Sequence, residues 1–333
     1  MKHVLILQTG GTIMMQTDVL IAGKVDADPD KARGYLQSKV PELTNIAQIE
    51  VIELFYEDSS SLTPKHWTIL ADTIHKFKDE FDGFVVLHGT DTMAYTASAL
   101  SFALNGMNKP VIFTGSQVPL TTLRSDARRN LVNSVEIATY DIPEVCICFN
   151  DKLYRANRAT KMSIGDFDAF ASPNLRPLAE IGLSIDVAEH VLKHKNKWDF
   201  HSTFNENIFI LKLFPGLNPS HLQYLIDSPI QAILVEGFGA GNFPIKESYS
   251  IEHFFRSCIE KDKIVTMCSQ APFDAIDLGK YESGRLALDI GIISSKEMTV
   301  EASATKLMYL LSAHDNTQTV KDLYQTNLCG EIN

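Results

Sequence analysis

The chain has 333 residues, 45% of them hydrophobic and 21% charged, with a formal net charge of −11. That length is enough for two domains, because single cores stop growing at about 250–300 residues. The acid excess, with no basic run or broad basic face to offset it, argues against nucleic acid as a partner, and no apolar run approaches the ~20 residues needed to span a bilayer.

The N-terminus has one Lys and one His before a short strand-like run, without a small-residue cleavage site, so it does not resemble a secretory signal and predicts a cytoplasmic protein. Cys146, Cys148, Cys258, Cys268 and Cys329 lie mostly in apolar runs, contain no Cys-x-x-Cys pair, and are expected as buried free thiols.

The first element is an apolar run from Val4 to Leu7, which reads as a buried strand ending in a tight turn at Gly10-Gly11-Thr12. Two glycines beside a hydroxyl let a small ligand approach main-chain N–H groups at the strand's carboxyl end. Taken alone, this stretch fits an ordinary strand-to-helix turn, or a phosphate loop whose threonine caps a helix, better than a ligand site. Residues 13–27 lack strong periodicity and precede Asp28-Pro29, an N-cap followed by proline, so they are expected to form either a lid or a surface connection.

A second strand, Ile49 to Phe55, leads to Asp58 and Ser59, and Thr63-Pro64 opens a helix carrying Trp67, Leu70, Ile74, Phe77 and Phe81 at helical spacing. Asp58 and Ser59 can cap this turn or hold a ligand. A third strand, Gly83 to Leu87, runs into His88-Gly89-Thr90-Asp91-Thr92 before a helix from Met93 to Leu104. Next come a strand from Pro110 to Thr114, the loop Gly115-Ser116-Gln117, a helix from Ser125 to about Tyr140, and a strand from Val145 to Phe149. Strand, polar loop, helix, strand is the pattern of a doubly wound, mainly parallel sheet, and four of its loops put hydroxyls or carboxylates on one edge.

An extended segment rich in Arg and Asn runs from Tyr154 to Lys161. Polarity then rises and periodicity fades, which predicts a linker at 191–207 between an N-terminal α/β domain at 1–190 and a smaller C-terminal α/β domain at 208–333. In the latter, Ile208 to Phe214, Ala232 to Val235 and Ile264 to Ser269 read as strands, and Glu247 to Lys261 and Val300 to Ala313 as helices.

Thr9-Gly10-Gly11-Thr12-Ile13, Asp58-Ser59, His88-Gly89-Thr90-Asp91-Thr92 and the Lys161 segment together resemble the bacterial L-asparaginase family, closest to its cytoplasmic type I branch. The similarity runs almost end to end. It implies a hydrolase that converts L-asparagine to L-aspartate and ammonia, with Thr12 as nucleophile and Thr90, Asp91 and Lys161 as a second polar triad. By the same resemblance, Asp58 and Ser59 match positions that hold the substrate's α-carboxylate, and Asp91 one that holds its α-ammonium. A homo-oligomer, dimer or tetramer, is implied too, with Asn242 in Gly239-Ala240-Gly241-Asn242 completing a neighbour's site.

The residue types suit that reaction on chemical grounds. Splitting an amide needs an activated nucleophile, donors for the developing oxyanion and a proton for departing ammonia. No metal or organic cofactor is required.

The chain also departs from the family. Residues 13–34 contain no tyrosine, although typical members carry a catalytic one in this lid, and Leu20 takes its position when Gly23-Lys24-Val25 is aligned. Ser61 replaces an aspartate, and Glu236 stands where some type I proteins carry an arginine linked to allosteric control. Hydrolysis of glutamine or another small amide is the nearest alternative, since one methylene is worth only ~1–3 kcal/mol in a pocket. An amino-acid-binding protein with little catalysis is the other.

Overall fold

The computed structural model describes residues 1–14, 36–195, 197–198 and 200–333. The expectations for the lid, the Asp28-Pro29 helix start and Leu20 lie outside the described residues. The chain divides into two compact units, Met1–Ser202 and Thr203–Asn333.

The first unit is built on an eight-stranded sheet of order β10-β9-β6-β5-β4-β3-β1-β2. Its parallel part consists of β1 (His3–Gly10), β2 (Gln48–Glu57), β3 (Gly83–Leu87), β4 (Val111–Thr114) and β5 (Val145–Phe149). The antiparallel strands β6 (Lys152–Arg155), β9 (Ala179–Ile181) and β10 (Ile185–Val187) extend it, so the sheet is mixed at that edge.

The central strands read as continuous apolar runs because both faces are covered. Val4 and Ile6 of β1 and Val85 and Leu87 of β3 share one core with Leu131 and Val135 of helix Ala127–Ile137. Leu5, Leu7, Phe84 and Val86, alternating with them, are fully buried as well. Every residue of helix Met93–Ala103 except Tyr95 is buried, which is why its sequence shows little polar–apolar alternation. All five cysteines are free and buried, and burial pushes the Cys148 thiol up to about 12.

A buried ion pair ties the antiparallel edge together. Arg155 Nε and Nη2 donate to the Glu144 carboxylate at 2.5 and 3.0 Å, and Glu144 also accepts from the Leu192 N–H. Further on, Lys195 N donates to Asn108 Oδ1 and Ser202 Oγ to Asp72 Oδ1, so the polar stretch up to Ser202 is fastened to the first unit.

The second unit has a four-stranded parallel sheet, β11 (Ile208–Lys212), β12 (Ala232–Gly237), β13 (Ile264–Ser269) and β14 (Ile293–Ser294), in that order. The expected helix from Glu247 to Lys261 is shorter, a 3-10 turn at Glu247–Tyr249 followed by helix Glu252–Glu260. Helix Val300–Ala313 starts as expected, with Thr299 Oγ1 accepting from Ala302 N. Helices Glu282–Ile290 and Thr317–Tyr324 and strand β14 were not expected. Lys306, fully buried, donates to Tyr324 O, Thr326 O and Glu331, and the Glu331 carboxylate also accepts from the Leu328 and Cys329 N–H groups. Burial opposes the charge of Glu331, but Lys306 and these donors hold its carboxyl below the ordinary value. Among the described residues no helix is long and apolar enough to cross a membrane.

Candidate active site

The strand order β2-β1-β3-β4-β5 reverses direction between β1 and β3, and open α/β sheets leave a crevice at the carboxyl ends of the strands on either side of such a point. The turn after β1 carries Thr12, and the turn after β3 carries Thr90 and Asp91, so the topology alone assigns both to that crevice.

Two glycines fix how close these turns come. Gly11 has φ +82°, and a Cβ there would lie 2.5 Å from Gly89 N and 2.7 Å from Gly89 Cα. The backbone after β1 is therefore pressed directly against the backbone after β3, with Thr12 and Thr90 as the next residues of each turn. Thr9 Oγ1, donating to Leu87 O at 2.9 Å, fastens the two strands just before these turns.

The turn after β2 also meets Gly89, where a Cβ would lie 2.7 Å from Ser59 Oγ. Ser59 is buried, and its carbonyl accepts from Thr92 Oγ1 at 2.7 Å. Asp58 is exposed and accepts from Ser60 N and Ser60 Oγ at 2.8 and 2.6 Å, capping the 3-10 turn Ser59–Ser61. The Ser60 hydroxyl and N–H hold its carboxyl below the ordinary value. Of the two roles open to Asp58 in the sequence, the capping one is what this geometry displays.

Lys161 ends β7 (Thr160–Lys161), which pairs with β8 (Phe170–Ala171) as a short antiparallel hairpin with Lys161 opposite Phe170. Phe170 is buried against Phe149 of β5, with ring centroids 5.1 Å apart. This anchor brings Lys161 Nζ to 2.8 Å from Thr90 Oγ1 and 2.6 Å from Asp91 Oδ1. The Lys161 side chain is 16% exposed and that of Asp91 63%. An ammonium beside a carboxylate and a hydroxyl, at the mouth of a crevice, is an arrangement able to hold and hand over a proton.

Beneath this turn lies His88, with no exposed surface. Its Nδ1 lies 2.7 Å from Gly89 O and its Nε2 3.0 Å from Thr96 Oγ1. A carbonyl only accepts, so Nδ1 carries the proton and Nε2 accepts from Thr96. Burial lowers the His88 pKa to about 4, and the ring is neutral near neutral pH. A trans peptide directs its N–H opposite to its C=O, so turning Gly89 O toward His88 turns the Thr90 N–H away from it.

Gln117 and Asp126, which sequence reasoning left without a role, also belong to this region. Buried Asp126 accepts from the N–H groups of Gln117 and Val118 and from Asn130 Nδ2. Gln117 Oε1 accepts from Thr90 Oγ1 at 3.5 Å, and its Nε2 donates to Asp166 O at 3.0 Å. The legible signal was the strand-end position of Gly115-Ser116-Gln117. The carboxylate nine residues further on gave no local sign that it folds back under that loop. Ser116 is buried at the same strand end, and its hydroxyl has no hydrogen-bond partner among the described residues.

Asn242 belongs to the second unit. There it closes a turn with Gly239 and Gly241 at positive φ, and its Oδ1 accepts from Ser283 Oγ at 2.9 Å. Among the described residues no group of three His, Cys, Asp or Glu side chains is placed to hold a metal ion.

Fold and site together define a two-unit α/β protein with a hydroxyl-rich, lysine-containing crevice at a sheet switch point. Residues 3–193 match the family described as asparaginase, N-terminal, and residues 207–324 match the glutaminase/asparaginase C-terminal domain. L-asparaginase 1 of Escherichia coli strain K12 is 37% identical over 345 residues, covering 99% of this chain and 98% of that protein. The 60 kDa lysophospholipase of Homo sapiens is 35% identical, covering 99% of this chain and 61% of that longer protein. Among solved structures, L-asparaginase I from Vibrio cholerae superposes with a TM-score of 0.89 at 37% identity, covering 100% of this chain and 99% of that one. The chain belongs to the asparaginase family.

Proposed function

We propose that this protein hydrolyses the side-chain amide of L-asparagine to L-aspartate and ammonia through an ester on Thr12. The observation that carries this reading is the contact of Lys161 Nζ with both Thr90 Oγ1 and Asp91 Oδ1, on a turn whose Gly89 packs against Gly11, the neighbour of Thr12.

In this reading Thr12 Oγ1 forms a bond to the amide carbon as its own proton is released to the Thr90–Lys161 set, and the carbonyl electrons move onto oxygen. Main-chain N–H groups of the two glycine-containing turns, that of Thr90 among them, stabilise the oxyanion. The C–N bond then breaks, and the leaving nitrogen takes a proton handled by Thr90 and Lys161. Water cleaves the ester by the same steps in reverse order of proton movement. Lys161 and Asp91 are a pair in which Asp91 Oδ1 takes the lysine and the second carboxylate oxygen is left for the substrate's α-ammonium. Asp58 and Ser59 then stand at the α-carboxylate end.

Family membership supports two further parts of the proposal. The active form is a homodimer or homotetramer in which Asn242 of a neighbouring copy reaches each site, and the protein works in the cytoplasm.

Ammonia release from L-asparagine by the purified protein, with L-glutamine in parallel, tests the reaction. Turnover of asparagine with kcat/KM well above that for glutamine is expected. Tight aspartate binding without ammonia release would instead support an amino-acid-binding protein.

A further inference from the structure

We propose that Gln117 is a positioning residue of the proton-handling set, holding the Thr90 hydroxyl and the segment after Lys161 in a fixed relation through the two ends of one side-chain amide. The inference rests on the role given above to Thr90 and Lys161.

Three observations lead to it. First, the backbone of Gln117 is anchored, since its N–H lies 3.2 and 3.1 Å from the two oxygens of Asp126. Asp126 is itself buried and bonded to Asn130 Nδ2, whose other contact is Gly115 O. Second, the acceptor end of the amide faces Thr90 Oγ1 at 3.5 Å. Third, the donor end faces Asp166 O at 3.0 Å and Ser163 O at 3.4 Å, both on the loop that begins directly after Lys161.

The chemistry follows from what each group is able to do. A lysine ammonium only donates, so Thr90 Oγ1 accepts from Lys161 and must send its own hydrogen elsewhere. Gln117 Oε1 receives it. The hydroxyl rotor is thereby set with a lone pair toward Lys161. In turnover its hydrogen turns from Gln117 to the leaving nitrogen as the lysine proton passes to Thr90 Oγ1, and the proton released by Thr12 recharges the lysine. The same amide keeps the loop after Lys161 from drifting, and so fixes the distance over which the proton moves. A side chain with an acceptor and donors on one rigid plane performs both tasks, and the primary amide of glutamine holds both at every pH.

Among the described residues, the charged residues around Gln117 are Asp126 at its backbone, Asp91 and Lys161 next to Thr90, and Asp166, whose carbonyl accepts from its amide. All are present unchanged in the two variants that test the idea. Gln117→Met keeps the bulk and removes both ends of the amide. Gln117→Glu is acceptor-only when ionised and regains a mixed donor and acceptor character when protonated, near pH 4.3 or somewhat above.

Steady-state ammonia release should show Gln117→Met with kcat lowered about tenfold or more and KM within about threefold of the parent. The unfolding midpoint should be unchanged. For Gln117→Glu, the ratio of its kcat to the parent's should rise as the pH is lowered from about 8 to about 5. A side chain that merely filled space would give a flat ratio. Parental kcat in Gln117→Met, or a flat ratio in Gln117→Glu, overturns the inference when Lys161→Met is inactive in the same assay. If Lys161→Met keeps parental kcat, it is the underlying proton-set assignment that fails, and Gln117 loses its proposed role with it.

Discussion

Lys161 Nζ stands 2.8 Å from Thr90 Oγ1 and 2.6 Å from Asp91 Oδ1, so one ammonium joins a hydroxyl and a carboxylate that lie 71 and 70 positions away in the chain. The hairpin that presents Lys161 is anchored by Phe170, not by this ion pair, and that separates catalysis from stability.

Lys161→Met should therefore lower kcat by about 100-fold or more, in the range of general acid–base effects. Its stability should change little, because the Asp91 partner is 63% exposed and such pairs contribute at most about 1 kcal/mol. Ammonia release and urea unfolding of the same preparation check both halves. A stable variant with parental kcat would remove Lys161 from the mechanism.

The two glycine contacts should fail in different ways. Gly11→Ala adds a Cβ at φ +82° against the Gly89 backbone, where nothing can move aside, and should cost about 2 kcal/mol or more. Gly89→Ala instead meets the Ser59 side chain at 2.7 Å and should raise KM more than it lowers stability. Urea midpoints and Michaelis constants of the two variants distinguish these outcomes.

Much of the first unit was legible in the sequence because its strands are buried on both faces and their carboxyl ends are marked by polar residues. Val4 to Leu7, Gly83 to Leu87 and Val145 to Phe149 appear as strands where the apolar runs lie. The helix expected from Ser125 to about Tyr140 spans only Ala127–Ile137, since Ser125 Oγ is turned back to Val118 O in the loop. Strands β9 and β10 are three residues each, too short for any periodicity to register. Helix Glu282–Ile290 had one visible mark, Gly291, which sits at φ +98° as its C-cap. Helix Thr317–Tyr324 had another in Asn316, whose side chain accepts from Thr319 N. At the site, the strand-end hydroxyls and carboxylates could be read directly. The fold-back of Asp126 onto Gln117 could not, because it depends on where a helix start lands after a loop.

Acid should destabilise the protein through His88. A buried imidazole with its pKa lowered from 6.5 to about 4 binds its proton more readily in the unfolded chain. Stability is then complete above pH 6.5 and falls as pH drops toward 4, by about 3 kcal/mol if the full shift is expressed. His88→Gln, which can still donate to Gly89 O, should flatten that part of the pH–stability curve. Parallel curves for parent and variant would contradict the assignment.

The Lys306–Glu331 pair should behave as a staple of the second unit. Removing one partner, as in Lys306→Met, leaves a buried carboxylate and should cost about 3–5 kcal/mol. Adding Glu331→Gln to that variant should recover part of the loss. The contribution of Glu331 is present above pH 4.5 and is lost as pH falls through its lowered folded value. Thermal unfolding of the single and double variants tests this, and additive losses would mean that the two side chains are not coupled.

The central claim is that Thr12 carries the acyl group, and intact-protein mass measurement during turnover tests it most directly. With L-asparagine mixed rapidly and quenched in acid, the parent should show a species heavier by one aspartyl group, mapped by fragmentation to Thr12. Thr12→Ala should show neither this adduct nor ammonia release, while still binding L-aspartate. Ammonia release by Thr12→Ala at the parent's rate, or an aspartyl adduct mapped to another residue, would contradict the account.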